Sequence, residues 1–466
     1  MAEIKQYTRQ ENYDNFLNIY KGNHYAVFES ELLDKVKQRT GHEKARMIYI
    51  ALNFAKLIVN KFADLMFLNP LKLNQNLDNL GLFEEFIQNS KLNALNWRLA
   101  VYTGIRGDGI YRLSVRNNRV FADYVNPSIW FPDYEGGEIT RHIFEWIVEK
   151  NGKNYIRREV YEKGRVLNEI YKPKFKDVDL ISDENKYDIL GTQLDIKEFY
   201  PGLEPEISTG VDSFLVYHFK NDNVEDNFGT SEFADLMPLF DELNNRITQI
   251  SNILDVHAEP EKFYPESYFE VDNVFYELYK KIRYIFKKRE SNVYAIPQEE
   301  KIQPFALTWD AKLEACFSEI EFIMDSILSM AEMAPHLVYM KKVAETENAI
   351  RMQLTNTIAK VIRRRMIYEP LFVQMFTDFQ DLVYNNELIR GEYGDLVVAN
   401  DPESISIDWG EPIPISERER LEILEKKVKM DAISERRKVR EANPELTDDE
   451  VETELQEIAK GYNTIS

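Results

Sequence analysis

Six histidines, one cysteine and 80 carboxylates are the side chains in this 466-residue chain best suited to chemistry. Metal-assisted hydrolysis needs His, Cys, Asp or Glu at ligand spacing, such as two histidines four residues apart on one helix face. His24, His42, His142, His218, His257 and His336 are scattered, and none stands four residues from another. They read as structural or surface histidines. Cys316 lies beside an apolar helical stripe, so a small packed thiol is the reading rather than a nucleophile. Nucleophile-elbow, phosphate-loop and kinase signatures do not occur. The glycines of Gly104-Ile105-Arg106-Gly107-Asp108-Gly109 hint at a phosphate cradle, but the dinucleotide fingerprint needs G-x-G-x-x-G after a strand and before a helix. Here the spacing is reversed, with a helix before and strands after, which is a helix-to-strand turn. The expectation is a protein with no catalytic centre, metal or cofactor.

Two charge features stand out. Lys280, Lys281, Arg283, Lys287, Lys288 and Arg289 alternate with Tyr279, Tyr284 and Phe286. The plain reading is a solvated helix face; the other is a docking patch for an acidic partner or nucleic acid. The second feature is a stripe of Glu314, Ser318, Glu321 and Asp325 at steps of four, three and four, about 110° from the apolar stripe of the same helix. Acids outnumber bases 80 to 58, a net charge of −22. Such a chain does not grip DNA phosphates over its whole surface.

Those residues sit in a chain long enough for about three folding units. One cysteine rules out an internal disulfide framework and fits a reducing compartment. The N-terminus lacks a signal-peptide core, and no segment reaches the ~18 apolar residues of a membrane span, so a soluble, intracellular protein is expected. The first hundred residues have helical periodicity: Met47, Ile50, Phe54, Leu57, Ile58, Phe62 and Leu65 form one stripe ending at Asn69-Pro70, and a second pattern covers Leu82 to Tyr102. Short β-rich runs follow at 111–116, 120–125, 139–148, 155–161 and 166–171. Turn signals at Asn117-Asn118, Gly136-Gly137, Asn151-Gly152 and Lys163-Gly164 separate them. Residues 173–213 read as irregular, and 214–219 as one more strand. From Ser231 the chain is helical again, with a mixed insertion over 258–308. A third long helix starts near Thr346 and should kink at Pro370. After Pro412 and Pro414 it becomes charged helix, with capping-box spacing at Ser416…Glu419 and Thr447…Glu450.

Several stretches resemble the portal proteins of tailed bacteriophages, in the branch found in long-tailed phages of Gram-positive hosts. They are Asn53–Asp64 with Phe67-Leu68-Asn69-Pro70; Gly107-Asp108-Gly109 leading to Val125-Asn126-Pro127 and Trp130-Phe131-Pro132; Tyr217-His218-Phe219; Gly229–Phe233; Pro238–Asn244; and Ile407–Pro412 followed by Ile433-Ser434. None is a catalytic signature, so their order and spacing carry the likeness. Where members often have Asn-Ala-Ser-Gly before the third helix, this chain has Glu345-Thr346-Glu347-Asn348-Ala349.

The resemblance implies an α+β, portal-type fold and a ring of usually twelve copies at one capsid vertex, through which DNA is packaged and later ejected. Residues 1–230 and 346–410 would form the wing, 231–257 and 309–333 the two stem helices, and 258–308 the clip. Residues 334–345 would be the tunnel loop and 411–466 the crown. Implied partners are further copies of the chain, the terminase motor, the head–tail adaptor, capsid and scaffolding proteins, and double-stranded DNA that passes without tight binding. On this reading the basic cluster docks partners at the clip. The tunnel loop brings His336, Tyr339, Lys341 and Lys342 near DNA, and Glu314, Glu321 and Asp325 line the channel wall. Two helices of about 24 residues, each about 36 Å long, could stand as a tilted palisade around an aqueous bore. The competing readings are a DNA-processing nuclease, which would need a metal-binding carboxylate cluster, and a non-channel adaptor or scaffold.

Overall fold

The computed structural model describes residues 7–28, 49–74, 77–175, 181–222, 227–258, 261–265, 293–296, 303, 305–307, 313–338, 347–399, 403–410, 412, 417–430, 432–443, 446 and 448–463. The fold mixes α and β. Helix α1 (Arg9–Tyr20) opens on a capping box: the Thr8 side chain accepts the Glu11 N–H, and the Glu11 carboxylate accepts the Thr8 N–H at 2.8 Å. Helix α2 spans Phe54–Met66 and buries Ile58, Val59, Phe62 and Met66. It does not begin at Met47, as the apolar stripe predicts. The Ile50 and Leu52 N–H groups donate to Thr248 Oγ1 and Asn244 Oδ1, each at 3.0 Å, and Asn53 caps the helix through the Lys56 N–H. Tertiary bonds to a distant helix replace the local ladder there. The single helix expected over Leu82–Tyr102 is two, α3 (Leu80–Asn89) and α4 (Leu92–Arg106), divided at Lys91 with φ +52°. A left-handed residue cannot continue a helix.

Helix α4 turns into strand β2 (Asp108–Arg116) through Gly107, φ +88°. A Cβ there would overlap the Gly229 carbonyl, so both the dihedral and the space demand glycine. A two-residue pair β1 (Lys72–Leu73) with β14 (Ile407–Asp408) was not legible beforehand. Strands β2, β3 (Arg119–Val125) and β10 (Val216–Lys220) form one antiparallel sheet in the order β10-β2-β3. A second sheet runs β4 (Asp133–Glu135), β5 (Glu138–Lys150), β6 (Lys153–Glu162), β7 (Arg165–Pro173) and β8 (Leu190–Leu194), with β9 (Glu206–Ser208) also on β7. Thus the described residues within 173–213 hold two strands, more order than the polar sequence suggests. The turns at Asn117-Asn118, Gly136-Gly137 and Asn151-Gly152 have positive φ at both residues, the mirror-image geometry that matches strand twist.

Helix α5 covers Met237–Ala258, and its partner α6 covers Leu313–Met330. The helix starts later than Ser231 because 231–236 are tied as turns: Ser231 Oγ donates to the Ile105 carbonyl at 2.6 Å, and the Glu232 N–H to Gly104 at 2.9 Å. Between α5 and α6, β11 (Glu261–Pro265) is flanked by β12 (Val293–Ile296), parallel, and β13 (Phe305–Leu307), antiparallel. Helix α7 (Glu347–Asn385) passes Pro370 without interruption and is about 58 Å long. Then come α8 (Glu387–Tyr393) and, beyond β14, α9 (Glu417–Lys429), α10 (Glu435–Ala442) and α11 (Asp448–Asn463). The main core is an aromatic spine. Tyr368, Phe372, Phe376 and Phe379 of α7 meet Tyr111, Phe219, Phe83 and Phe86, with Phe86 stacked on Phe379 at 4.2 Å.

Candidate functional site

Three helices converge at one buried carboxylate. Glu232, just before α5, is 4 % exposed and pairs with Lys360 at 2.6 Å and with Arg364, both on α7. Asn221 adds an N–H bond at 2.9 Å. Burial by itself would raise the Glu232 carboxyl, but Lys360 and Arg364 outweigh it and hold the pKa at about 2. Burial also pulls the Lys360 ammonium below its usual range. Lys360 donates a second bond to the Ala331 carbonyl at 2.9 Å, at the end of α6.

That end of α6 is locked from the same side. The Met333 N–H returns to Leu328 and the Glu332 N–H to Ser329, a Schellman closure. The left-handed residue is Glu332, φ +56°, where glycine is the usual occupant. Arg363 holds both Glu332 oxygens at 2.7 Å, and Thr357 Oγ1 donates to the Glu332 carbonyl and accepts from Ala334 N–H. Lys360, Arg363, Glu232, Glu332 and Thr230 line a cavity of about 520 Å³ at this junction. The arrangement holds the end of α6 against α7; among the described residues no three His, Cys, Asp or Glu side chains gather as a metal site would need. Sequence reading missed the junction because its central pair, Glu232 and Arg364, lies 132 residues apart.

A second long-range closure seals the region where α2 exits. Trp409 lies against Phe67 and Phe372 at ring distances of 5.8 and 5.9 Å, and Arg365 donates to the Gly410 carbonyl at 2.9 Å. Two stretches that carried the resemblance, near 67–70 and 407–410, are therefore neighbours in space.

The expected site residues fall as follows. Glu314 and Glu321 are exposed on α6, and Asp325 is half-buried there, while Ile323, Ile327 and Leu328 are buried. His336 is half-buried in a short 3-10 turn at Pro335–Leu337. Tyr339, Lys341 and Lys342 lie outside the described residues, as do Lys280, Lys281, Arg283, Lys287, Lys288 and Arg289. Cys316 is half-buried on α6. Of the histidines, His24 bonds the Ile19 carbonyl at 3.1 Å and Asn244 at 2.8 Å. His142 accepts from the Trp130 indole at 3.1 Å, and burial lowers its pKa to about 3. His218 meets Asp108 at 2.6 Å. His42 is outside the described residues, and His257 lies on α5.

No helix among the described residues is long and apolar enough to cross a membrane. No curated protein matches the chain. A chain from the virion of a native gene transfer agent (GTA) particle is similar at 10 % identity and a TM-score of 0.40, over 88 % of this chain and 93 % of that one. The family described as "Phage portal protein, SPP1 Gp6-like" matches residues 3–465. That match spans the sheets, the helix pair and the charged C-terminal helices alike, so this chain belongs to the SPP1 Gp6-like phage portal proteins and serves as a portal protein.

Proposed function

We propose that copies of this chain, twelve by the family's habit, form the ring at one capsid vertex through which DNA enters during packaging and leaves at ejection. The observation that carries this is the family match along residues 3–465. The α5–α6 pair is consistent with a stem: α5 is about 33 Å long, and Arg246 ties it to α6 through Glu319 at 3.0 Å. On this reading 258–308 is the clip, whose basic cluster at 280–289 docks the terminase motor and later the head–tail adaptor. Residues 334–345 form the tunnel loop. The charged helices of 411–466 form the crown, and Glu314, Glu321 and Asp325 face the bore. The family is structural rather than enzymatic. Capsid and scaffolding proteins would surround the wing. Negative-stain microscopy of the purified chain, followed by reconstruction, tests the assignment. The expected result is a ring with a central hole, the 258–308 insertion at one exposed end and 334–345 in the bore. A discrete monomer, or a ring whose bore is lined by the wing sheets, overturns it.

A further inference from the structure

Two helix faces present large exposed apolar side chains among the described residues. On α7, Met352, Ala359, Ile362 and Met366 recur at steps of seven, three and four, the spacing of a helix-packing seam. Met352 is 79 % exposed and Met366 67 %, whereas Leu354, Val361 and Arg364 on other faces are buried. On α6, Phe322 is 72 % exposed. Around it at helical spacing stand Ala315, Ser318, Ser326 and Ser329. The Ser318 and Ser326 hydroxyls bond back to the Glu314 and Phe322 carbonyls at 3.0 and 2.8 Å, so the surface they offer is small and largely apolar. A single large knob on a flat helix face is what a seam with a small floor residue accepts.

Charge agrees with shape. Helix α6 carries Glu314, Glu319, Glu321 and Asp325 and no base, while residues 351–366 of α7 carry Arg351, Lys360, Arg363, Arg364 and Arg365 and no acid. Within one copy Glu232 and Glu332 offset two of the α7 charges and Arg246 offsets Glu319, which leaves the same opposed signs. Opposed potentials of this kind steer association and suppress like-to-like pairing.

We propose that Phe322 of α6 packs over Ala359, between Ile362 and Met352, on α7 of the adjacent copy in the ring. The inference rests on the ring reading above and names the contact that builds it. The two faces differ, so the contact is heterologous. Each copy then retains one unused face of each kind, and such contacts propagate until they close.

Cysteine cross-linking tests the contact. In a Cys316→Ser background, the Phe322→Cys plus Ile362→Cys double variant should give, on mild oxidation of assembled rings, a ladder of covalent oligomers running up to the full ring. Each single variant should give none. A covalent dimer from Ile362→Cys alone would mean that α7 faces itself, and the proposal fails. Visible rings without a ladder in the double variant also overturn it and leave the ring reading standing. A wild-type chain that stays monomeric removes both. Independently, Phe322→Glu should abolish rings with the monomer's melting temperature unchanged, because the side chain is exposed in one copy; intact Phe322→Glu rings would refute the contact.

Discussion

Glu232 sets how the molecule responds to acid. Its carboxyl sits near 2 in the folded chain against 4.5 in an open one, so the folded state favours the ionised form. The stability this contributes is fully present above about pH 4.5 and is lost progressively as pH falls toward 2. By linkage the contribution is about 3 kcal/mol, and breaking a buried ion pair costs a similar amount. Urea unfolding of Glu232→Gln at pH 7 should show a destabilisation of that order. The gap to wild type should shrink below pH 4.5; a gap constant down to pH 3 would contradict the pairing. Glu332 gives a second test. Its left-handed backbone costs a non-glycine residue about 1 kcal/mol, and its carboxylate clamps Arg363. Glu332→Ala keeps the strain and loses the clamp, so it should be less stable than Glu332→Gly. Equal urea midpoints for the two would show that the backbone there is relaxed.

Among elements, glycine at two turns separates dihedral strain from crowding. Gly164 has φ +81° with open space around it, and Gly107 has φ +88° against the Gly229 carbonyl. Gly164→Ala should cost about 1–2 kcal/mol from the backbone alone. Gly107→Ala must also displace β10's neighbouring chain, and should cost clearly more or prevent folding; thermal melts of the two variants decide it. Much of this level was readable in sequence. The hairpins announced themselves through Asn-Asn, Gly-Gly and Asn-Gly pairs, and the stem-like helices through their apolar stripes. The failures have several physical causes. Ile50 belongs to the helical stripe, yet the Ile50 and Leu52 N–H groups are claimed by Thr248 and Asn244 almost 200 positions later. The break at Lys91 has no glycine or proline to mark it. Strands β1, β8 and β9 are two, five and three residues long, too short for any period to show. The Glu232 junction left no local trace because it exists only once α7 folds back.

For the whole molecule, the acidic stripe of α6 bears on how DNA would move. Translocation needs a wall that does not hold phosphates, since each neutralised phosphate releases counterions and strengthens binding. Carboxylates facing the bore act as a cushion reaching about 8 Å at physiological salt, and leave the axis open. Glu314, Glu321 and Asp325 changed together to lysine should therefore give intact rings that retain duplex DNA at low salt and package poorly. Rings that show no gain in DNA retention would sink the wall assignment.

The small pairing of Lys72–Leu73 with Ile407–Asp408 has a consequence for synthesis. A ribosome adds roughly 5–20 residues per second, so tens of seconds separate the emergence of the two strands. Throughout that interval Phe67 lacks Trp409, and the Asp78 and Asn79 N–H groups lack the Glu403 carboxylate that accepts them at 2.6 and 2.9 Å. A chain that stops before residue 403 therefore carries an open seam. Polypeptides stopped at residue 402 should show rapid amide exchange across 54–90 and should not enter assemblies with full-length copies. On the ring reading, only copies translated past residue 410 would then be fit to join an assembly.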